Sequence, residues 1–212
     1  MRVKLALLAI SFFSSVIVSG QFATINPDSS KILKKGLYKN YEEFLNNNPS
    51  NTKDDFFVSF YFLNKKDPSS IVGANYQFTD SSKEKENVWG FCDGNAIYVA
   101  ATPFSTQYYW KLIGLGKYPF FLGKNRSFMS LNFNELTLLI ITEKGKFKEV
   151  DIGYMKKILA AQPSLLADFR KVADRYEQYD NPNVDVFESE ETFKEKTMIM
   201  IEYLIKLNKL SQ

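Results

Sequence analysis

No histidine occurs among the 212 residues of this chain. That absence excludes Ser-His-Asp and Cys-His triads and every zinc or copper site built on imidazole. It also removes the one side chain that titrates near neutrality without help from its surroundings. Any catalysis would have to rest on carboxylates, lysine, tyrosine or a hard cation held by oxygen, and no cofactor is expected. Cysteine is nearly as scarce: Cys92 stands alone, so no internal disulfide can form. A lone thiol beside a hairpin turn, with no imidazole to activate it, reads as a small packed side chain. Arginine is limited to Arg2, Arg126, Arg170 and Arg175. Without an arginine-rich patch there is no electrostatic basis for a nucleic-acid partner.

Long hydrophobic runs are also missing. The most apolar stretch, Leu5 to Val18, is broken by Ser11, Ser14 and Ser15, and a spanning helix needs about 20 apolar residues. Arg2 and Lys4 precede this stretch, and Val18-Ser19-Gly20 follows it with small or short side chains. This is the layout of a cleaved secretory signal over residues 1–20, with Gln21 opening the mature chain. A lipid-anchored form would need a cysteine at the cleavage site. No integral membrane segment is expected after signal removal. Taking residues 1–20 away removes two basic residues and no acid, leaving 25 basic against 24 acidic residues, a net charge of +1.

Aromatic residues are abundant, with 19 Phe and 12 Tyr, which favours sheet packing. Residues 21–35 read as a polar leader. Asn40 can cap a helical turn, with Glu43 completing a capping box and Pro49 ending the element. Phe56 to Leu63 alternates as a strand with large side chains on both faces, the pattern of a strand covered on both sides. Ile71 to Phe78 is a second strand, followed by a charged loop from Thr79 to Asn87. Asp93-Gly94 between Val88-Trp89-Gly90-Phe91-Cys92 and Ala96-Ile97-Tyr98-Val99 suits a type I′ hairpin turn. That turn would set Cys92 against Asn95, Phe91 against Ala96, and Trp89 against Tyr98. Gln107 to Leu112 is another strand, broken by Gly114-Leu115-Gly116-Lys117. Ser127 to Thr142 is a long strand region, and Phe147 to Val150 an edge strand with lysines outward.

The period then changes. Asp151 caps a helix with Ile152, Met155, Ile158 and Leu159 on one side. Pro163 opens the next helix, with Leu165, Leu166, Phe169, Val172, Ala173 and Tyr176 as its apolar stripe. A final helix runs from about Glu188 to Asn208, acidic at its start and basic at its end. Hairpin-linked strands followed by helices predict an α+β fold. The expected form is one antiparallel sheet of six to eight strands over residues 36–150, with two or three helices over 151–212.

Two segments carry a family resemblance. Gly36-Leu37-Tyr38-Lys39-Asn40-Tyr41-Glu42-Glu43-Phe44, ending at Asn48-Pro49-Ser50, resembles the G-x-Y-K-x-Y-E-E-F…N-x-P-S opening of an uncharacterised family of small exported proteins from the Bacteroidota. Val88 to Asn95, then Ile97-Tyr98, is similar to that family's W-G-F-x-D-G-x-x-I-Y hairpin. Tyr109 to Tyr118 resembles the segment that follows, with Lys117 where an arginine is usual. The resemblance spans roughly residues 36–121 and loosely the helical tail. It implies export from a Gram-negative envelope bacterium and supplies no catalytic residues.

Ser50-Asn51-Thr52-Lys53 and Ser82-Lys83-Glu84-Lys85 match a Ser-x-x-Lys nucleophile motif, but neither opens a strong helix and no Lys-Thr-Gly follows. Gly114-Leu115-Gly116-Lys117 lacks the spacing of a phosphate loop. Asp180, Asn183 and Asp185 could offer oxygens to calcium, yet fit no EF-hand spacing and read as a polar inter-helix loop. Asp54, Asp55, Asp80, Glu84 and Glu86 flank strand ends, where a facing pair would suit glycoside hydrolysis. Within the aromatic run from Phe104 to Phe121, the candidate binding surface is Tyr108, Tyr109, Trp110, Tyr118 and Phe121. The expectation is a non-enzymatic binding or structural module of the envelope, partnered by a protein or cell-surface component, in the periplasm or at the cell exterior. Its rivals are a carboxylate-dependent hydrolase of envelope glycans and a carrier enclosing a small apolar ligand beside Tyr108, Trp110 and Phe121. An exposed aromatic patch on a sheet edge would favour the binding module.

Overall fold

The computed structural model describes residues 34–53, 55–62, 71–82, 88–100, 108–123, 136–180 and 188–211. Among them the chain forms the expected α+β class, with antiparallel strands first and helices after. Nine strands are described. The chain divides into two compact units between Ile113 and Gly114, not at the change of period near Val150. The last three strands therefore cluster with the helices that follow them.

The first unit is a six-stranded antiparallel sheet: β1 (Gly36–Tyr38), β2 (Phe56–Phe62), β3 (Ile71–Phe78), β4 (Gly90–Cys92), β5 (Ile97–Val99) and β6 (Tyr109–Gly114), whose last residue opens the second unit. Its order is β1-β4-β5-β6-β3-β2. Gly36–Tyr38, which precedes the capped turn, is a strand because Leu37 pairs on two sides, with Phe91 and with Asn51. Gly36 has φ +151°, and a Cβ there would stand 2.2 Å from the Asn51 carbonyl oxygen, so glycine lets the two segments close. The short helix α1 (Tyr41–Leu45) follows, capped as expected: the Asn40 side chain accepts the Glu43 N–H at 2.9 Å. The Glu43 carboxylate reaches back one residue further than a capping box, to the Lys39 N–H at 2.8 Å.

Register places Leu37, Phe91, Tyr98, Lys111, Tyr109, Ala74, Tyr76 and Phe56 on one face. Most of these form a single core with Val88 and Ala96. Phe56 lies four strands away from Phe91 in the sheet order, about 19 Å in a flat sheet. Their ring centroids are 6.2 Å apart. The sheet therefore curls until its ends share one aromatic core, in which Tyr76 and Tyr109 also meet Phe91 edge-on at 5.5 and 5.2 Å.

The hairpin differs from expectation. Cys92 pairs with Ile97 and Phe91 with Tyr98, so the turn residues are Gly94 and Asn95. Gly94 has φ +102° while Asn95 has no positive φ, the sign pattern of a type II′ turn rather than type I′. The cause is Asp93: its Oδ1 accepts the N–H groups of Asn95 and Ala96, each at 2.7 Å, which holds Asp93 before the turn instead of in it. The one-residue displacement brings Phe91, not Trp89, to stack on Tyr98 at 5.0 Å.

The second unit holds β7 (Phe120–Gly123), β8 (Thr137–Ile141) and β9 (Phe147–Glu149), antiparallel in that order. It continues through α2 (Ile152–Leu159), α3 (Pro163–Ala173), a 3-10 helix (Asp174–Asp180) and α4 (Glu190–Leu210). Asp151 caps α2 and Ser189 caps α4 through their side-chain oxygens. Phe169 of α3 meets Tyr203 of α4 at 5.0 Å. Val172, placed by its spacing on the apolar stripe of α3, is exposed.

Candidate functional site

β2 is the residue run that the sequence marks as covered on both faces; the face carrying Phe56 and Val58 packs against the core, and the face carrying Phe57 and Ser59 is open. Among the described strands it pairs only with β3. Phe57 is 49% exposed and Phe60 38% exposed, and Ser59 between them is exposed as well. Phe57 and Phe60 lie on opposite faces, because neighbouring side chains alternate. The Thr79 N–H donates to the Asp55 carbonyl at 2.7 Å, which fixes the hydrogen-bonding parity of the pair. Positions 57, 59 and 61 bond to β3. Positions 56, 58, 60 and 62 turn their N–H and C=O groups away from it. No residue from Phe56 to Phe62 carries a charge. Natural edges are usually protected by charge, proline or a bulge. The one register shift here, between Tyr61 and Phe62, sits at the far end of the strand.

Aromatic neighbours support this edge. Phe60 reaches Tyr98 at 6.1 Å, and Tyr61 meets Tyr108 at 5.5 Å. Tyr108 is thus the one member of the expected binding surface that adjoins an exposed aromatic strand, and it is itself half-buried. Tyr109 and Trp110 are buried, as is Phe121. Tyr109 is a core ring, and Trp110 pairs with Gly73, where a Cβ would stand 2.6 Å from the Tyr109 carbonyl oxygen. These three rings present no face to solvent, so the expected five-residue surface is corrected on that point. Tyr118, in the second unit, is half-buried. Its N–H donates to Asn208 Oδ1 at 2.8 Å and its carbonyl accepts from Asn208 Nδ2 at 2.9 Å. Gly116, inside the glycine break, has φ +129° and lies against the same asparagine.

The curled face also carries Lys111, half-buried beside Tyr98. Burial lowers the pKa of its ammonium, and the Asp93 carboxylate opposes that shift. Burial also pushes the Tyr98 phenol well above its ordinary value, with Asp93 adding to the effect. The Tyr98 hydroxyl donates to Asp93 Oδ2 at 3.4 Å. Asp93 therefore does three local jobs, two in the turn and one at this phenol.

Asp80, Ser82, Ser50 and Asp180 have structural roles. Asp80 Oδ1 accepts both the backbone N–H and the hydroxyl of Ser82, at 3.0 and 2.7 Å. That engagement takes the second Ser-x-x-Lys serine into a local turn, and Lys85 lies outside the described residues. Ser50 donates to the Leu37 carbonyl. Asp180 gives one oxygen to the Lys196 ammonium and the other to the Ile152 N–H, both at 2.8 Å, so it is not disposed as a calcium ligand. Asn183, Asp185, Asp54, Glu84, Glu86 and Phe104 lie outside the described residues. Among the described residues no group of three acidic or thiol side chains could hold a metal ion, and no helix is long and apolar enough to cross a membrane.

The sequence signal that marks Phe57 and Phe60 is a strand of seven residues with one small polar side chain and no charge. Alternation alone reads such a strand as doubly covered. Only pairing on a single side reveals it as an edge. No protein-family model, no curated protein and no solved structure matches this chain.

Proposed function

We propose that this protein is an exported component of a Gram-negative envelope, in the periplasm or at the cell exterior, and that it acts by binding rather than turnover. Its partner adds a β-strand to β2, so that main-chain hydrogen bonds supply affinity while Phe57 and Phe60 grip the partner's side chains from both faces. The observation that carries this reading is an uncharged edge strand with a large exposed aromatic on each face. The basic, apolar and small-residue order of residues 1–20 supports export. Of the carboxylates that could form a hydrolytic pair, Asp80 is held in a local turn with Ser82, and Asp54, Glu84 and Glu86 lie outside the described residues.

The test uses the mature chain from Gln21, tagged at its C-terminus and recovered from its native envelope. Ser59→Lys and Phe57→Lys place a charge on the exposed face of β2 and leave its bonds to β3 intact. Both variants are expected to keep the wild-type circular dichroism spectrum and to lose about tenfold or more of the captured partner. Capture by both variants at the wild-type level, or turnover of an envelope glycan by the pure protein, overturns the proposal.

A further inference from the structure

We infer that the strand seated on β2 is β2 of a second copy of this chain, paired antiparallel with Ser59 on the two-fold axis. This inference rests on the strand-addition reading above and names its partner.

Self-pairing requires a strand that matches its own reverse, because a two-fold interface presents the same patch from both sides. Phe56-Phe57-Val58-Ser59-Phe60-Tyr61-Phe62 has that property. Reversed about Ser59, Phe57 opposes Tyr61 of the copy, Phe56 opposes Phe62, and Val58 opposes Phe60. Every outer pair is aromatic on aromatic, and the inner pair is aromatic on β-branched, the combinations that stabilise cross-strand neighbours. The smallest side chain of the strand lies at the centre, where two copies approach closest.

Backbone parity agrees. Ser59 turns its own N–H and C=O toward β3, so two Ser59 residues on the axis form a non-hydrogen-bonded pair. Val58 and Phe60, whose groups face the free edge, then exchange both hydrogen bonds with Phe60 and Val58 of the copy. The absence of charge removes like-charge repulsion between copies, and it equally removes any selection for an acidic or basic partner. A two-fold contact also closes on itself, so it ends at a dimer instead of growing into a fibre.

The register sets the test. At a non-hydrogen-bonded pair the two Cα atoms lie about 4.5 Å apart, within reach of a disulfide. The two Phe57 residues would be offset by four positions, about 13 Å, well outside that reach. Cys92 is buried and does not interfere. The mature chain is expected to sediment as a monomer–dimer equilibrium over a concentration series, and Ser59→Lys as a monomer. Under mild oxidation Ser59→Cys is expected to give a covalent dimer about tenfold faster than Phe57→Cys. A wild-type monomer at every concentration, species larger than a dimer, or equal cross-linking of the two cysteine variants overturns the inference. If the wild type is monomeric but captures a different envelope protein that Ser59→Lys loses, self-pairing falls and strand addition stands. If neither partner nor dimer forms, both fall.

Discussion

Burial raises the Cys92 thiol from an ordinary 9.0 to about 11, with the Gly94 N–H opposing the shift and the Asp93 carboxylate adding to it. The folded protein thus keeps a proton that the unfolded chain releases near pH 9. The associated stability is complete below pH 9 and is lost as pH rises from 9 to 11, about 3 kcal/mol in all. Urea midpoints measured across that window should fall in the wild type and fall less steeply in Cys92→Ala. Steeper loss in the alanine variant would contradict the assignment. The same burial explains why a cysteine flanked by a reactive-looking turn is chemically quiet, which the lack of histidine already suggests. The residue chemistry was therefore legible in the sequence for Cys92 and for the capping residues Asn40 and Asp151, because each depends on near neighbours. It was not legible for Trp110 or Phe121. Whether a ring is core or surface depends on which strand lies beside it, and those strands are distant in the chain.

Elements in the second unit are tied together by charge as well as packing. Lys196 of α4 is buried, yet it pairs with Asp180 at the end of the 3-10 helix and Glu188 before α4, both at 2.8 Å. Burial alone would lower its pKa; the two carboxylates outweigh that and raise it. The pair of acids brackets the chain on either side of residues 181–187. Lys196→Met leaves both carboxylates without their cation and should cost about 3 kcal/mol in urea unfolding. Lys194 and Glu190, an exposed pair one turn apart on α4, provide the contrast: Glu190→Gln should cost less than about 0.5 kcal/mol. Comparable losses in the two variants would show that burial does not set the value of the Lys196 network. Hydrophobic period identified α2, α3 and α4. It did not identify β1 or β7, which show neither the apolar–polar alternation of β9 nor a flanking hairpin signal like that of β4 and β5, and exist through the partners they find.

At the scale of the whole molecule, the chain carries a net charge of only +3, and its candidate interface carries no charge at all. Association through β2 should therefore depend on apolar contact and backbone hydrogen bonds, with little contribution from screened charges. Dimerisation or partner capture is expected to change less than about threefold between 0.05 and 0.5 M salt, as sedimentation can measure. A steep decline with salt would point to a different surface. The sequence by itself determined the fold class, most of the elements, the caps, and the chemistry that a chain without imidazole cannot perform, because those properties follow from residue type and local spacing. Tertiary structure alone decided the strand order, the curl of the first sheet, and on which side β2 was left unpaired among the described strands. Backbone donors and acceptors are the same on every strand, so alternation tells which way a side chain points but never whether another strand is waiting on that side.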